Sequence, residues 1–181
     1  MIKAAACSVI ALLTGAGATV SAAAAGAEGA AAVPDAIAVP GGHQVKARFS
    51  AKGVQIYKCQ APTTAPTDFA WTFVAPEATL FDRDGKVAGK HYGGPTWEAN
   101  DGSKIVGKLA AKAAAPDGAS IPWLLLSATV AQAGDAFRGV VYVQRVNTNA
   151  GASPATGCSS AAANTEARVP YSADYVFYAH E

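Results

Sequence analysis

The run His91-Tyr92-Gly93-Gly94-Pro95-Thr96-Trp97-Glu98-Ala99-Asn100-Asp101-Gly102-Ser103 sets an imidazole, two large aromatic rings and two carboxylates among turn-forming residues. No other stretch of the chain concentrates functional groups so densely. Aromatic faces beside planar polar groups suit sugars and other small amphipathic ligands. The candidate binding set therefore joins His91, Tyr92, Trp97 and Glu98 with Gln144, Arg145, Asn147, Tyr171, Asp174 and Tyr175 from later in the chain. The competing reading is a packed core with a satisfied polar network, because Trp and Tyr are large apolar side chains first. Arg145 is placed to pair with Glu98 or Asp174; buried, such a pair is structural, and in a pocket it would orient a polar ligand bidentately. Trp97 and Tyr92 flat and exposed on a sheet face would mark a binding platform.

Catalysis finds little to work with. There is no Gly-x-Ser-x-Gly elbow, no Ser-x-x-Lys and no His-Glu-x-x-His. A glycosidase would need Glu98 and a second carboxylate, Asp101 or Asp174, facing each other across a cleft. Asp101 fits a turn better and Glu98 a solvated or Arg-paired strand position, so a secreted hydrolase with an unrecognised carboxylate-based site stands only as the alternative. His43, His91 and His180 lack short ligand spacing, so neither a metal site nor a cofactor is expected. Asp82-Arg83-Asp84-Gly85 is short of the oxygen ligands and distal Glu of a calcium loop and is expected to be a turn between strand ends.

The elements that must position these groups are expected to be strands. From about residue 33, short apolar or alternating segments are punctuated by Gly, Pro, Asn and Asp, with no βαβ alternation. Val45, Ala47 and Phe49 alternate with polar residues, and residues 50–53 are short enough for a hairpin into the next alternating run, 54–59. Phe69, Trp71 and Phe73 are expected to share a core-facing side. Asn100-Asp101-Gly102-Ser103 predicts a second hairpin. The continuous run Trp123-Leu124-Leu125-Leu126 fits a central strand, residues 139–147 another, and residues 171–178 the last, with Tyr171, Tyr175 and Phe177 on one face. Ala-rich residues 108–115 leave a helical turn or two open. The pattern predicts nine or ten strands in a single all-β domain, an antiparallel β-barrel or β-sandwich, without deciding between the two.

Met1-Ile2-Lys3 followed by an uncharged run to Val20 and the small residues Ser21-Ala22-Ala23 has the form of a cleaved secretory signal. The expected division is a signal over 1–23, a disordered Ala-rich lead-in over 24–34 and the β domain over 35–181. The product would be secreted, periplasmic or extracellular, with no stable membrane anchor once the signal is removed. Cleavage removes Cys7 and leaves Cys59 and Cys158 as an even pair in an oxidising compartment, which points to a disulfide rather than free thiols or a redox pair. The net charge of +1, without basic clusters, gives no support to a nucleic-acid partner. What remains is an unknown small ligand, glycan or protein.

Several separated blocks are distinctive in their order: residues 53–59, 75–82, 91–103, 121–126, 144–148 and 168–175. On these blocks, which span nearly all of the expected mature chain, the sequence resembles the domain of unknown function 3455 family of small secreted proteins. The resemblance implies export and an uncharacterised role, and it supplies no catalytic residues to transfer. Some relatives carry the inherited name malate dehydrogenase; the chain has no Gly-x-Gly-x-x-Gly after a strand to support that chemistry.

Overall fold

A computed structural model describes Met1 and residues 32–181. The expected signal and most of the expected lead-in lie outside the described residues. Eight antiparallel strands close into an up-and-down barrel in which each strand pairs with its sequence neighbours and the last returns to the first. The strands are β1 (His43–Gln60), β2 (Ala70–Phe81), β3 (Val87–Tyr92), β4 (Thr96–Ala99), β5 (Lys104–Ala113), β6 (Trp123–Gln132), β7 (Val140–Ala150) and β8 (Glu166–His180). Closure leaves no sheet edge running the full height of the wall, which settles barrel over sandwich.

The count is eight rather than nine or ten because two expected strands are one. β1 runs unbroken for 18 residues through the 50–53 segment where a hairpin was expected. Gly53 is there for contact and not for turning: a Cβ on it would lie 2.1 Å from the Glu77 carbonyl oxygen on β2. The Ala-rich 108–115 segment is mostly strand, as β5, because tertiary pairing to β6 overrides helix propensity. The two expected tight turns form as expected. Asp82 accepts from the Asp84 and Lys86 amides at 2.9 Å each, with Gly85 at φ 75° between β2 and β3. Asp101 does the same for Ser103 between β4 and β5.

One end of the barrel carries the loops 61–69, 93–95, 114–122 and 151–165; the other carries 82–86, 100–103, 133–139 and the outer ends of β1 and β8. The first is the disulfide end. Cys59 at the end of β1 is bonded to Cys158 in the 151–165 loop, closing a separation of 99 residues. In the chain-entropy account a loop of that length stabilises the fold by about 4 to 5 kcal/mol. The second, terminal end is filled with rings: Phe137 folds back from the 133–139 loop to 4.9 Å from Phe177 and 6.3 Å from Phe49.

Inward residues follow the two-residue period, with Ala51, Leu80, Trp97, Ile105, Val143, Tyr171, Tyr175 and Phe177 all in the bore. A second apolar layer lies outside the wall. The 3-10 turn Asp35–Ile37 lays Ile37 over Trp123, Leu125, Val146 and Val176. This is why the Trp123–Leu126 run is apolar at every position: Leu124 and Leu126 face the bore while Trp123 and Leu125 face the strap.

Candidate functional site

The wall has a notch. β3 and β4 have six and four residues, whereas β2 and β5 on either side have twelve and ten. β2 pairs with β3 only from Ala78 onward and β5 with β4 only over Lys104 to Val106, so residues 70–77 and 107–113 flank a gap closed only by the Gly93–Pro95 turn. Phe73 shows the consequence. It stands beside inward-facing Tyr57 across the β1–β2 pair, rings 5.7 Å apart, yet is 50% exposed because the opposite wall stops below it. The expectation that Phe73 belongs to the core fails for this reason. Trp71, also expected in the core, is half-buried and donates its Nε1–H to the Thr156 carbonyl at 2.8 Å.

Behind the gap lies a cavity of about 440 Å³, within the range of small-molecule sites. Phe73, Val74 and Leu109, all half-exposed or more, form its mouth, and Leu124 and Leu126 on β6 line it beside Leu109. Its inner surface is made by His91, Trp97, Arg145 and Tyr175. Gly107 matters at this height, since a Cβ there would lie 2.8 Å from the Trp97 ring. The indole packs against bare backbone and is 1% exposed.

The His91 ring stacks on Trp97 at 4.5 Å and 14° and meets Tyr175 at 4.9 Å. Its Nδ1–H donates to the Thr96 carbonyl at 2.8 Å, which leaves Nε2 as the acceptor of a neutral imidazole. Burial lowers the His91 pKa to about 3; the Thr96 bond opposes that shift and the Arg145 charge adds to it. Burial likewise raises the phenols of Tyr57, Tyr171 and Tyr175, with Arg145 pulling each back. The charge of one guanidinium therefore acts on four titratable groups held in uncharged form.

Arg145 is opposite Leu124 on β6 and Tyr175 on β8. It donates from Nε and Nη2 to the Pro122 carbonyl at 3.1 and 2.8 Å. Neither Glu98 nor Asp174 pairs with it, and among the described residues it makes no salt bridge. The expected Arg145–carboxylate pair is absent because those carboxylates lie on the other side of the wall. Below the guanidinium, Tyr171 Oη lies 3.3 Å from Tyr175 Oη, and Tyr57 donates to the Gly151 carbonyl at 2.7 Å. Gln55 Nε2 and Trp97 Nε1 are buried with no acceptor among the described residues.

The ten candidate residues thus divide by the parity of their strands. His91, Trp97, Arg145, Tyr171 and Tyr175 converge in the bore. Tyr92 and Glu98 face outward on β3 and β4, where Glu98 accepts from Tyr92 Oη at 2.7 Å and meets Lys90 and Lys104 at 3.3 and 3.2 Å. The Tyr92 bond, then Lys104 and Lys90, lower the Glu98 pKa to about 2. Gln144 is sealed beneath the strap, donating to the Ile37 carbonyl at 2.7 Å and accepting from Tyr178 at 2.8 Å. Asn147 donates to Asp174 at 2.8 Å on the outer surface. Asp101 is committed to Ser103 and the Ala136 amide, with its pKa lowered to about 2 by the Ser103 hydroxyl foremost. Among the described residues no carboxylate lines the cavity.

An exposed Trp97–Tyr92 platform is not what forms, because adjacent strands present these rings to opposite sides of the wall. Sequence reasoning missed the mouth residues Phe73, Val74 and Leu109. The available signal was the spacing of turns: two closely set turns around a short β3–β4 hairpin, between longer strands, imply a gap in a closed wall.

No curated protein and no solved structure matches the chain. A family profile described as Protein of unknown function (DUF3455) matches residues 40–179, which takes in β1 to β7 and all but the last residue of β8. With the fold and that match together, the chain belongs to the domain of unknown function 3455 family.

Proposed function

We propose that this protein is an exported β-barrel that binds a small, largely apolar molecule through the side opening between β2 and β5, rather than on an outer face. The observation that carries this reading is the composition of the opening. Phe73, Val74 and Leu109 are 50%, 51% and 54% exposed, and they cluster at the mouth of one cavity instead of being scattered. An eight-stranded barrel has room inside for packed side chains or for one small ligand, and here the packing stops short at the height of the missing wall. Export is supported by the signal-like first 23 residues and by the Cys59–Cys158 bond, which persists in oxidising compartments. Among the described residues no helix is long and apolar enough to cross a membrane.

The test is titration with the neutral fluorophore N-phenyl-1-naphthylamine, comparing the native chain with Leu109→Trp, which fills the mouth from an exposed position. Native protein should enhance the emission saturably, and the variant should weaken binding about tenfold or more by blocking entry. Equal enhancement by both, or none by the native chain, would overturn the proposal.

A further inference from the structure

We infer that the cavity selects an apolar monocarboxylate, with the carboxylate received by Arg145 at the inner wall and the apolar body lying toward Phe73 and Leu109. This deepens the binding reading above and rests on it. Among the described residues two charged side chains line the cavity, Arg145 and Lys108, and both are cations. Arg145 is the deeper of the two functionally: it neighbours Tyr175 across the β7–β8 pair, whereas Lys108 is exposed on β5 at the rim.

The chemistry of Arg145 is incomplete as the chain stands. Two of its N–H groups go to one carbonyl, that of Pro122, and Tyr175 Oη is within reach of a third, so of a guanidinium's five donors at least two are left. Arg145 is half-buried with no carboxylate beside it among the described residues, and an anion placed against it next to an apolar wall gains more than it would in open water. The other polar groups at the inner wall admit an anion without repulsion. Tyr175 is a protonated phenol and His91 a neutral ring, and among the described residues no Asp or Glu lines the space. A carboxylate is planar and takes the parallel N–H donors of a guanidinium bidentately. A cationic ligand would meet two like charges. A neutral alcohol would gain the same apolar contacts without the ion pair.

The test uses a matched series with one apolar body, decanoate, decanol and decylamine, each displacing N-phenyl-1-naphthylamine from the native chain, Arg145→Met and Arg145→Lys. Native protein should bind decanoate about tenfold or more tighter than decanol, and decylamine weakest, as charge-assisted bidentate pairing predicts. Arg145→Met should reduce decanoate to the level of decanol while leaving decanol within about twofold, and Arg145→Lys should keep part of the preference. Equal affinities for decanoate and decanol in the native chain would overturn the inference even if neither variant folds, while leaving the binding site in place. Preference for decanoate retained in a folded Arg145→Met would also overturn it. If the fluorophore and all three displacers fail to bind, the binding reading itself falls.

Discussion

The two ends of the bore are built on opposite principles. At the terminal end Phe49, Phe137 and Phe177 fill the barrel with rings, Phe177 being 0% and Phe137 1% exposed. At the disulfide end the same inward positions carry Gln55, Tyr57, Tyr171, Tyr175 and Arg145, with a buried amide left unpaired and an opening in the wall beside them. Both ends belong to the same eight strands, so the difference is not one of fold. Apolar packing at one end supplies enough stability for the other to hold polar groups that a core of this size would otherwise exclude. The Cys59–Cys158 bond is found at the less well packed end, where it ties the long 151–165 loop to β1.

The contrast is broken most directly at the packed end. Phe177→Ala should destabilise the protein by about 3 to 5 kcal/mol, because it removes a ring in contact with Phe49, Trp97 and Phe137 and leaves a cavity the rigid wall cannot collapse. Chemical unfolding measures this, and a loss under about 1 kcal/mol would show that the terminal end is not the anchor. An acid titration sharpens the polar end. The folded His91 pKa of about 3 lies below the unfolded value of 6.5, so the unfolded chain binds the extra proton between them. Stability from this group is complete above pH 6.5 and falls as pH drops toward 3, a loss of about 3 kcal/mol by pH 4. Unfolding midpoints from pH 7 to 4 should show that slope in the native chain and a flatter one in His91→Phe; parallel slopes would mean other groups carry the acid sensitivity. The smallest effect belongs to Tyr171→Phe. Losing its 3.3 Å contact with Tyr175 Oη should cost about 1 kcal/mol, several-fold less than Phe177→Ala although both are buried aromatics on β8. Equal losses at the two positions would erase the distinction between the ends.

Much of this architecture was legible in residue order. Alternation at 171–178 identified the bore face of β8, Asp82-Arg83-Asp84-Gly85 and Asn100-Asp101-Gly102-Ser103 marked their turns, and the even Cys pair gave the disulfide. These are local signals: a two-residue period, a side chain capping its own turn, a count of thiols. Gly53 misled because the glycine that opens a turn and the glycine that admits a neighbouring backbone are the same letter. The 91–103 run concentrates functional groups, yet its members fall on both sides of the wall. His91 and Trp97 face in while Tyr92 and Glu98 face out, as strand parity requires.

The sequence by itself determined the strand pattern, the polar turns, the covalent tie and the residues able to do chemistry, since each depends on neighbours a few positions away. Only the tertiary structure decided which of those residues meet. Closing eight strands of unequal length brought Arg145, Tyr175 and His91 from three strands to one cavity and left Phe73 bare. The height of a wall at one point depends on the lengths of four strands, β2 to β5, and on where their registers meet, and no short stretch of sequence contains that sum.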